Sequence, residues 1–206
     1  MSTYNAFYVR KQAAEALTRA AMLKLYPEAR IETSSGFVGA VLARDEIEPR
    51  EACLLELSGT LATDVIWLAY QSAVGAFIFQ HWQAGRLIRA LWYGCRNEGS
   101  WDRVAGSAEP WEREALWNDE ALEDLLQCAE SEAERQKLKR LWRDGVFKEG
   151  EFEHLVASED VVHAVMKHYG LFGEGETSDH STAVSVARAP GKSRGGFWSK
   201  LFGKAP

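Results

Sequence analysis

The sequence predicts an α+β protein with a mainly antiparallel sheet, helices packed on it and a helical C-terminal part. Three observations lead to this class. β-favouring runs follow one another through residues 65–93, which is typical of consecutive antiparallel strands. From residue 119 the composition changes to Glu, Leu, Ala, Lys and Arg, with apolar residues at helical spacing. At 206 residues, of which 46% are hydrophobic and 26% charged, the chain is long enough to bury a core.

The N-terminal elements follow from short patterns. Residues 4–9 form an apolar run typical of a strand, and residues 11–26 place alanines and leucines at helical spacing until Pro27. Residues 31–42 contain two β-type runs around Ser-Ser-Gly, which predicts a hairpin. Pro49 suits the first turn of a helix that continues towards Leu61. Ser58-Gly59-Thr60 could end this helix early, so two end points are possible.

A central hairpin is predicted over residues 76–93. Its strands, 76–82 and 87–93, are joined by Gln-Ala-Gly-Arg, whose length and glycine suit a tight turn. Residues 65–70 form the strand before it, and residues 101–104 are a candidate fourth strand.

Three helices are predicted in the C-terminal part. The first begins near Asp119 with Asn118 or Asp119 as its cap, and the second covers residues 133–142. The third begins at Ser158, followed by acidic residues, and stops at Gly170.

These elements predict one globular domain over residues 1–172, sheet-rich over 1–117 and helical over 118–172. Residues 173–196 are rich in Gly, Ser, Thr, Ala and Pro, which predicts a disordered linker. Residues 197–204 then form a basic, aromatic, amphipathic tip. Its candidate contact residues, for a protein partner or for weak membrane contact, are Phe197, Trp198, Lys200, Leu201, Phe202 and Lys204.

Charge separates the tail from the rest of the chain. The net charge of the chain is −6. Five basic residues and no acidic residue follow Asp179, so residues 1–179 carry a net charge of −11. An acidic body repels phosphate backbones, so we expect no nucleic-acid partner. Three widely spaced cysteines predict free thiols in a reducing compartment, and no apolar run is long enough to span a membrane. We therefore expect a cytoplasmic protein, with the tip as the part that could contact the inner face of a membrane.

Several short motifs resemble a family of bacterial proteins known only as a domain of unknown function. The matching residues are Leu25-Tyr26-Pro27, Ser72-Ala73-Val74, Trp82, Gly85-Arg86-Leu87, Arg89 and residues 106–112, Gly-Ser-Ala-Glu-Pro-Trp-Glu. The resemblance covers roughly residues 10–117, and Gly75 stands where the family usually has Asp. It implies a shared fold, and it implies no activity and no site residues.

No catalytic or metal-binding motif emerges from the spacing of the reactive residues. Glu159 and His163 are four residues apart near His154, but the histidines lack the spacing of a two-histidine zinc helix. Cys95 and His81 lie on neighbouring predicted strands and could form a cysteine–histidine pair. Ordinary surface histidines and a packing thiol are the simpler interpretations. We expect no metal and no cofactor.

Tryptophan is unusually dense in the centre of the chain. Alternation along a strand places Phe77, Phe79 and His81 on one face of the sheet, and Gln80 and Trp82 on the other. With aromatic residues on both faces, one face is expected to meet helices and the other could meet a partner. The candidate aromatic interaction surface comprises Trp82, Trp92, Trp101 and Trp111.

Two classes of function remain after these observations. The first is a non-enzymatic protein-interaction protein, of the adaptor or immunity type, with an acidic body and a tethered docking peptide. The second is a hydrolase with a histidine- or cysteine-based site assembled by the fold. A peripheral membrane-associated protein, held by the tip, is a further alternative.

Overall fold

The computed structural model describes residues 3–11, 15–42, 51–96, 99–145 and 159–171. The seven strands in this part of the chain are β1 (Thr3–Arg10), β2 (Arg30–Thr33), β3 (Phe37–Val41), β4 (Asp64–Gln71), β5 (Ala76–Gln83), β6 (Arg86–Tyr93) and β7 (Trp101–Gly106). The helices are α1 (Glu15–Leu25), α2 (Glu51–Thr60), α3 (Pro110–Ala115), α4 (Asp119–Cys128), α5 (Glu132–Asp144) and α6 (Glu159–Tyr169). The predicted α+β class is therefore confirmed.

All seven strands belong to one antiparallel sheet in the order β2-β3-β1-β4-β5-β6-β7. Both predicted hairpins, β2–β3 and β5–β6, are confirmed. The candidate fourth strand of the central region is β7, which pairs with β6. β5 lies between β4 and β6, so both of its edges are hydrogen-bonded.

The β5–β6 connection has two residues, and both have positive φ angles. Ala84 has φ 46° and Gly85 has φ 76°, as in the turn type that matches the twist of antiparallel strands. Gly85 has no Cβ and adopts this conformation without steric cost. Ala84 adopts it at the cost of a close Cβ contact. The turn holds the register in which Gln83 pairs with Arg86, and the pairing shifts between His81 and Trp82.

Two helices, α1 and α2, cover one face of the sheet, and we call them the α1–α2 layer (residues 15–25 and 51–60). Met22 of α1 and Leu54 and Leu57 of α2 pack with the strand residues that point to this side. Those strand residues include Phe7, Val9, Val65, Trp67, Ile78, Trp82 and Trp92.

The opposite face is covered by α3 to α6, which we call the α3–α6 layer. Trp111 of α3, Trp142 of α5 and Val165 of α6 are buried in the same core as Phe77 and Phe79, and the Trp111 ring packs edge-on against Phe79. Both faces of the sheet are thus covered by helices. The suggestion that the second face could meet a partner is not supported, because the N-terminal helices cover one side and the C-terminal helices cover the other.

Local capping explains where the C-terminal helices begin and end. The Asn118 side chain accepts a hydrogen bond from the Ala121 N–H at 2.8 Å, which confirms one of the two predicted caps of α4. Gly145 (φ 61°) ends α5 and Gly170 (φ 64°) follows α6, in the left-handed conformation that glycine favours. Helix α3 was not predicted. The predicted caps Pro49 and Ser158, the linker and the tip lie outside the described residues.

Candidate functional site

The four tryptophans proposed as an interaction surface are buried and lie on both sides of the sheet. Trp82 and Trp92 pack under the α1–α2 layer. Trp101 and Trp111 pack under the α3–α6 layer, and each has about 1% of its surface exposed. They form no common exposed surface, so this prediction is wrong. Composition shows that tryptophan is abundant, but it does not show how many helices cover the sheet.

The other predicted groups are not brought together among the described residues. The six tip residues, Phe197 to Lys204, and His154 lie outside those residues, while His163 is exposed on α6. Cys95 is buried on the α1–α2 side, where its Sγ donates to the Tyr93 carbonyl at 3.4 Å. His81 contacts Glu109, just before α3, and Tyr169 of α6 on the opposite side of the sheet. The fold therefore separates Cys95 from His81, and the suggested pair does not form.

Instead, charged and polar residues from five parts of the chain meet at one end of the sheet. We call this group the sheet-end cluster: Arg10, Asp64, His81, Glu109 and Tyr169. Arg10 ends β1, Asp64 begins β4 and His81 lies near the end of β5, and the antiparallel pairing brings these strand ends together. Alternation directs all three side chains to the α3–α6 side. Glu109 directly precedes α3, and Tyr169 is the last residue of α6.

His81 is held between two carboxylates. Its Nδ1 lies 2.6 Å from Glu109 Oε1, and its Nε2 lies 3.3 Å from Asp64 Oδ1. The side chains of His81, Asp64 and Glu109 are only 12%, 11% and 10% exposed. Both ring nitrogens are therefore engaged in a largely dry environment, where charge-assisted hydrogen bonds are strong.

Each carboxylate also has further donors. The Tyr169 hydroxyl donates to Glu109 Oε2, and the Trp111 indole N–H donates to the same oxygen at 2.9 Å. Asp64 accepts from the Arg10 guanidinium, and from the Gln83 amide at 2.7 Å. Arg10 is the most open member of the cluster, with 48% of its side chain exposed. The two carboxylates are thus satisfied by donors from four elements and from His81.

These contacts stabilise the charged forms of the cluster. Burial alone lowers the pKa of His81, but hydrogen bonds and negative charge from Glu109 and Asp64 outweigh it and raise the pKa above its usual value of 6.5. Burial alone raises the pKa of Glu109 and of Asp64. Hydrogen bonds from His81, Tyr169 and Arg10 reverse this effect, so both carboxyl pKa values are lowered. Burial, followed by the Glu109 charge, raises the pKa of Tyr169 and keeps its phenol protonated.

A buried ion pair next to the sheet-end cluster helps to position Glu109. Arg89 of β6 binds Glu112 of α3 with two hydrogen bonds, of 2.9 and 2.6 Å. Glu112 Oε1 also accepts from the Glu109 N–H at 2.8 Å, and an Arg89 nitrogen donates to the Gly106 carbonyl at 3.0 Å. Burial raises the pKa of Glu112 despite the Arg89 charge. This pair positions the start of α3, and with it Glu109.

The geometry limits what chemistry the cluster can perform. A general base needs a ring nitrogen lone pair directed at a substrate proton, whereas both His81 nitrogens already face carboxylates. The thiol of Cys95 is on the other side of the sheet. In the part of the chain that the structure describes, no group of three or more His, Cys, Asp or Glu side chains is arranged to hold a metal ion. The arrangement is that of a closed polar network joining α3 and α6 to the sheet.

Sequence reasoning identified His81 and missed its partners. Asp64, Glu109 and Tyr169 lie 17, 28 and 88 positions away from His81, so no local spacing connects them. The one available signal was the Glu-Pro-Trp-Glu stretch of residues 109–112, in which Glu-x-x-Glu around a proline suits a helix start.

The α1–α2 layer is distinctive on its outer side. The large apolar side chains exposed in the described part of the chain are Leu17 (66%), Leu55 (43%), Leu23 (38%) and Leu25 (36%). All four belong to α1 or α2. On α1, Ala16 and Ala20 are also exposed, and their spacing with Leu17 and Leu23 places them on one outward helix face. A helix that is apolar on its outward face as well as its inward face is unusual for a surface helix.

The fold and the cluster define an α+β protein with one seven-stranded antiparallel sheet covered on both faces. No family model matches the chain, no match was found among curated proteins, and no solved structure matches it. The similarity of residues 10–117 to an uncharacterised bacterial family therefore stays a prediction. Within the described ranges, no helix has the length and apolar character needed to cross a membrane.

Proposed function

We propose that the chain is a non-enzymatic protein-interaction protein, of the adaptor or immunity type. Its body binds a protein partner through the outer surface of the α1–α2 layer, and the tip adds a second contact. We also place it in the cytoplasm, which the free thiols of Cys53, Cys95 and Cys128 support.

The observation that carries this proposal is the position of the exposed leucines. Single apolar residues are common on protein surfaces, but here the four large ones of the described chain lie on the same two helices. Leu17 is 66% exposed and shares the outward face with Ala20 and Leu23. Burying such a face against a partner removes apolar area from water, which is the main favourable term in most protein associations.

The closed state of the sheet-end cluster supports the non-enzymatic part of the proposal. Its carboxylates and imidazole are bound to one another and to Arg10, Gln83, Trp111 and Tyr169. These contacts hold helices on the sheet, which is a structural task. The helices held in this way are α3 and α6, on the face of the sheet opposite α1 and α2.

In-cell cross-linking tests the proposal. The tagged full-length chain is expressed in its native host, cross-linked and purified, and the attached proteins are identified by mass spectrometry. Leu17→Asp and Leu55→Asp place a charge on the exposed layer without touching the core. We expect a partner that the unaltered chain captures to be reduced about tenfold by Leu17→Asp, as for a contact residue worth more than 1 kcal/mol.

The matched control is Gln127→Asp, which adds the same charge at an exposed position of α4 in the opposite layer. It should leave capture unchanged. If the captured proteins are the same with all three variants, the α1–α2 layer is not the interaction surface and the proposal fails.

A second candidate function is acid–base hydrolysis at the sheet-end cluster. The observation that favours it is the 2.6 Å contact between His81 and Glu109 at low exposure, with a phenol close by. It requires a substrate to displace Asp64 from Nε2 of His81.

Hydrolysis is tested by screening the purified full-length chain against chromogenic esters, amides and phosphoesters. Activity that His81→Asn abolishes, and that Lys167→Ala on the exposed side of α6 leaves intact, would favour the enzyme. Equal background rates for all three proteins would count against it.

A further inference from the structure

The outer face of α2 differs from that of α1 in its charge. Leu55 is 43% exposed, and Ala52 and Glu56 are exposed beside it on the outward side of the helix. The two charged residues of α2 are Glu51 and Glu56, and the helix has no basic residue. Glu51 is already bound to Gln80 at 2.6 Å and to Arg103, whereas Glu56 has no partner among the described residues. This face therefore offers an apolar side chain next to an acidic one.

On α1 the basic residues predominate around the exposed leucines. Lys11 and Arg19 both pair with Glu15, at 3.5 and 2.9 Å, and Lys24 is exposed near the end of the helix. A basic ligand is therefore better suited to α2 than to α1. An apolar, positively charged peptide is the chemistry that complements Leu55 and Glu56.

The chain contains one such peptide. Residues 197–204 combine Phe197, Trp198 and Leu201 with Lys200 and Lys204. The sequence after Asp179 contains five bases and no acid, opposite a net charge of −11 on residues 1–179. Phe197 and Leu201 are four residues apart, so a helical turn would place these two side chains on one side, with Lys200 at the edge of that side.

We propose that the tip of residues 197–204 docks in cis on the outer face of α2, with its aromatic and leucine side chains on Leu55 and Lys200 beside Glu56. This inference rests on the proposed function, because the same outer surface of the α1–α2 layer is assigned there to a partner. Docking in cis holds the tip on the α2 part of that surface while no partner is bound. A partner that binds there displaces the tip, which is then free to make its second contact.

The chain is long enough for this contact. Leu171, the last described residue, is buried under the α3–α6 layer on the opposite face of the sheet. From Leu171 to Phe197 the chain can extend to about 90 Å. A compact protein of this size has a radius of about 20 Å, so half of its circumference is roughly 60 Å. Tethering raises the effective concentration of the tip to the millimolar range, at which a weak contact is occupied.

The test is intramolecular photo-cross-linking in the full-length chain. Trp198 is replaced by a photo-cross-linking phenylalanine analogue, and the cross-linked peptides are identified by mass spectrometry in the monomer fraction. We expect cross-links from position 198 to residues 51–60, with a yield that does not change on dilution and falls at high salt.

Substitutions on both sides of the contact make the test specific. Glu56→Lys should lower the yield about two- to fivefold, the effect of one exposed charge pair, and a chain with both Glu56→Lys and Lys200→Glu should recover it. The matched control, Glu123→Lys, reverses an exposed charge on α4 and should have no effect.

The result that overturns the inference is a cross-link that forms only between chains, that reaches other segments, or that is insensitive to Glu56→Lys. That result leaves the proposed function intact, provided that Leu17→Asp still reduces partner capture. If Leu17→Asp has no effect while the cis cross-link forms, the proposed function fails and the cis contact stands.

Discussion

His81 lies between two carboxylates, and this position favours its protonated, positively charged form. Glu109 and Asp64 bind its two nitrogens, while Tyr169 and Arg10 bind the remaining carboxylate oxygens. Removing one member leaves a buried charge with too few partners, which costs more than the net value of the lost bond.

Tyr169→Phe tests this at the level of one hydroxyl group. It removes the phenol hydrogen that Glu109 accepts and keeps the ring packing against Phe37 and Phe79. We expect the free energy of unfolding, measured by urea denaturation, to fall by about 1.5–3 kcal/mol, the range for a hydrogen bond to a charged group. Lys167→Ala, on the exposed side of the same helix, should change it by less than about 0.5 kcal/mol. Equal effects of both variants would show that the hydroxyl contributes nothing.

The pH dependence of stability follows from the direction of the pKa shifts. The pKa of His81 is raised, so its contribution is complete below its unfolded value of 6.5 and is lost as pH rises through the folded value. The pKa values of Glu109 and Asp64 are lowered. Their contributions to stability are therefore present above their unfolded pKa values of 4.5 and 3.8, and are lost as pH falls through the folded values.

We therefore expect His81→Gln to destabilise the protein more near pH 5.5 than near pH 9. Urea denaturation of both proteins across this range measures the difference. A loss of stability that stays the same from pH 5.5 to pH 9 would contradict this prediction, because it would show that folding leaves the pKa of His81 unchanged.

At the level of the elements, the β6–β7 pairing depends on a glycine. Gly106 has φ 81°, and a Cβ at this position would lie 1.9 Å from the Ile88 carbonyl oxygen. Gly106→Ala therefore requires the backbone to move, and we expect a loss of about 3 kcal/mol in the free energy of unfolding. Gly36 provides the control, because a Cβ there meets nothing within 4 Å. Comparable losses for Gly106→Ala and Gly36→Ala would contradict this account.

A substitution in the β5–β6 turn should make the protein more stable. Ala84 occupies a left-handed conformation at φ 46°, in a two-residue turn whose preferred first residue is Asn. We expect Ala84→Asn to raise the thermal midpoint by a few degrees, corresponding to about 0.5 kcal/mol, because Asn tolerates positive φ better than Ala. An unchanged or lower midpoint would show that the neighbouring strands determine the turn.

The elements could largely be predicted because their signals are local. The alternation of Phe77, Phe79 and His81, the Ala-Gly turn and the Asn118 cap each depend on a few neighbouring residues. Helix α3 is only six residues long, too short for a periodic pattern. The sheet-end cluster could not be predicted, because it depends on which strand ends and helix ends the topology brings together.

For the whole molecule, one sheet is the common support of both helical layers. Residues on β4 and β5 alternate between the two cores, so each strand is packed from both sides. We therefore expect the α1–α2 and α3–α6 layers to unfold together, as the prediction of a single domain requires.

Leu54→Ala tests this cooperativity, because Leu54 of α2 is buried and remote from α6. We expect a loss of about 2–5 kcal/mol in the free energy of unfolding and faster hydrogen exchange in both α2 and α6. Val165→Ala on α6 provides the reciprocal measurement. Faster exchange confined to the layer that contains the substitution would indicate two separate cooperative units.

The two-sided packing of β5 also restricts how this sequence can diverge. His81 faces Glu109 on the side of the α3–α6 layer, while Gln80 faces Glu51 of the α1–α2 layer. If one residue were deleted within β5, every later side chain of the strand would point to the opposite face of the sheet. The His81 imidazole would then lie under α2, and the Trp82 indole would face Glu109. In a set of descendants, substitutions should therefore accumulate in β5 without insertions or deletions, while length changes collect in the connections between strands and helices.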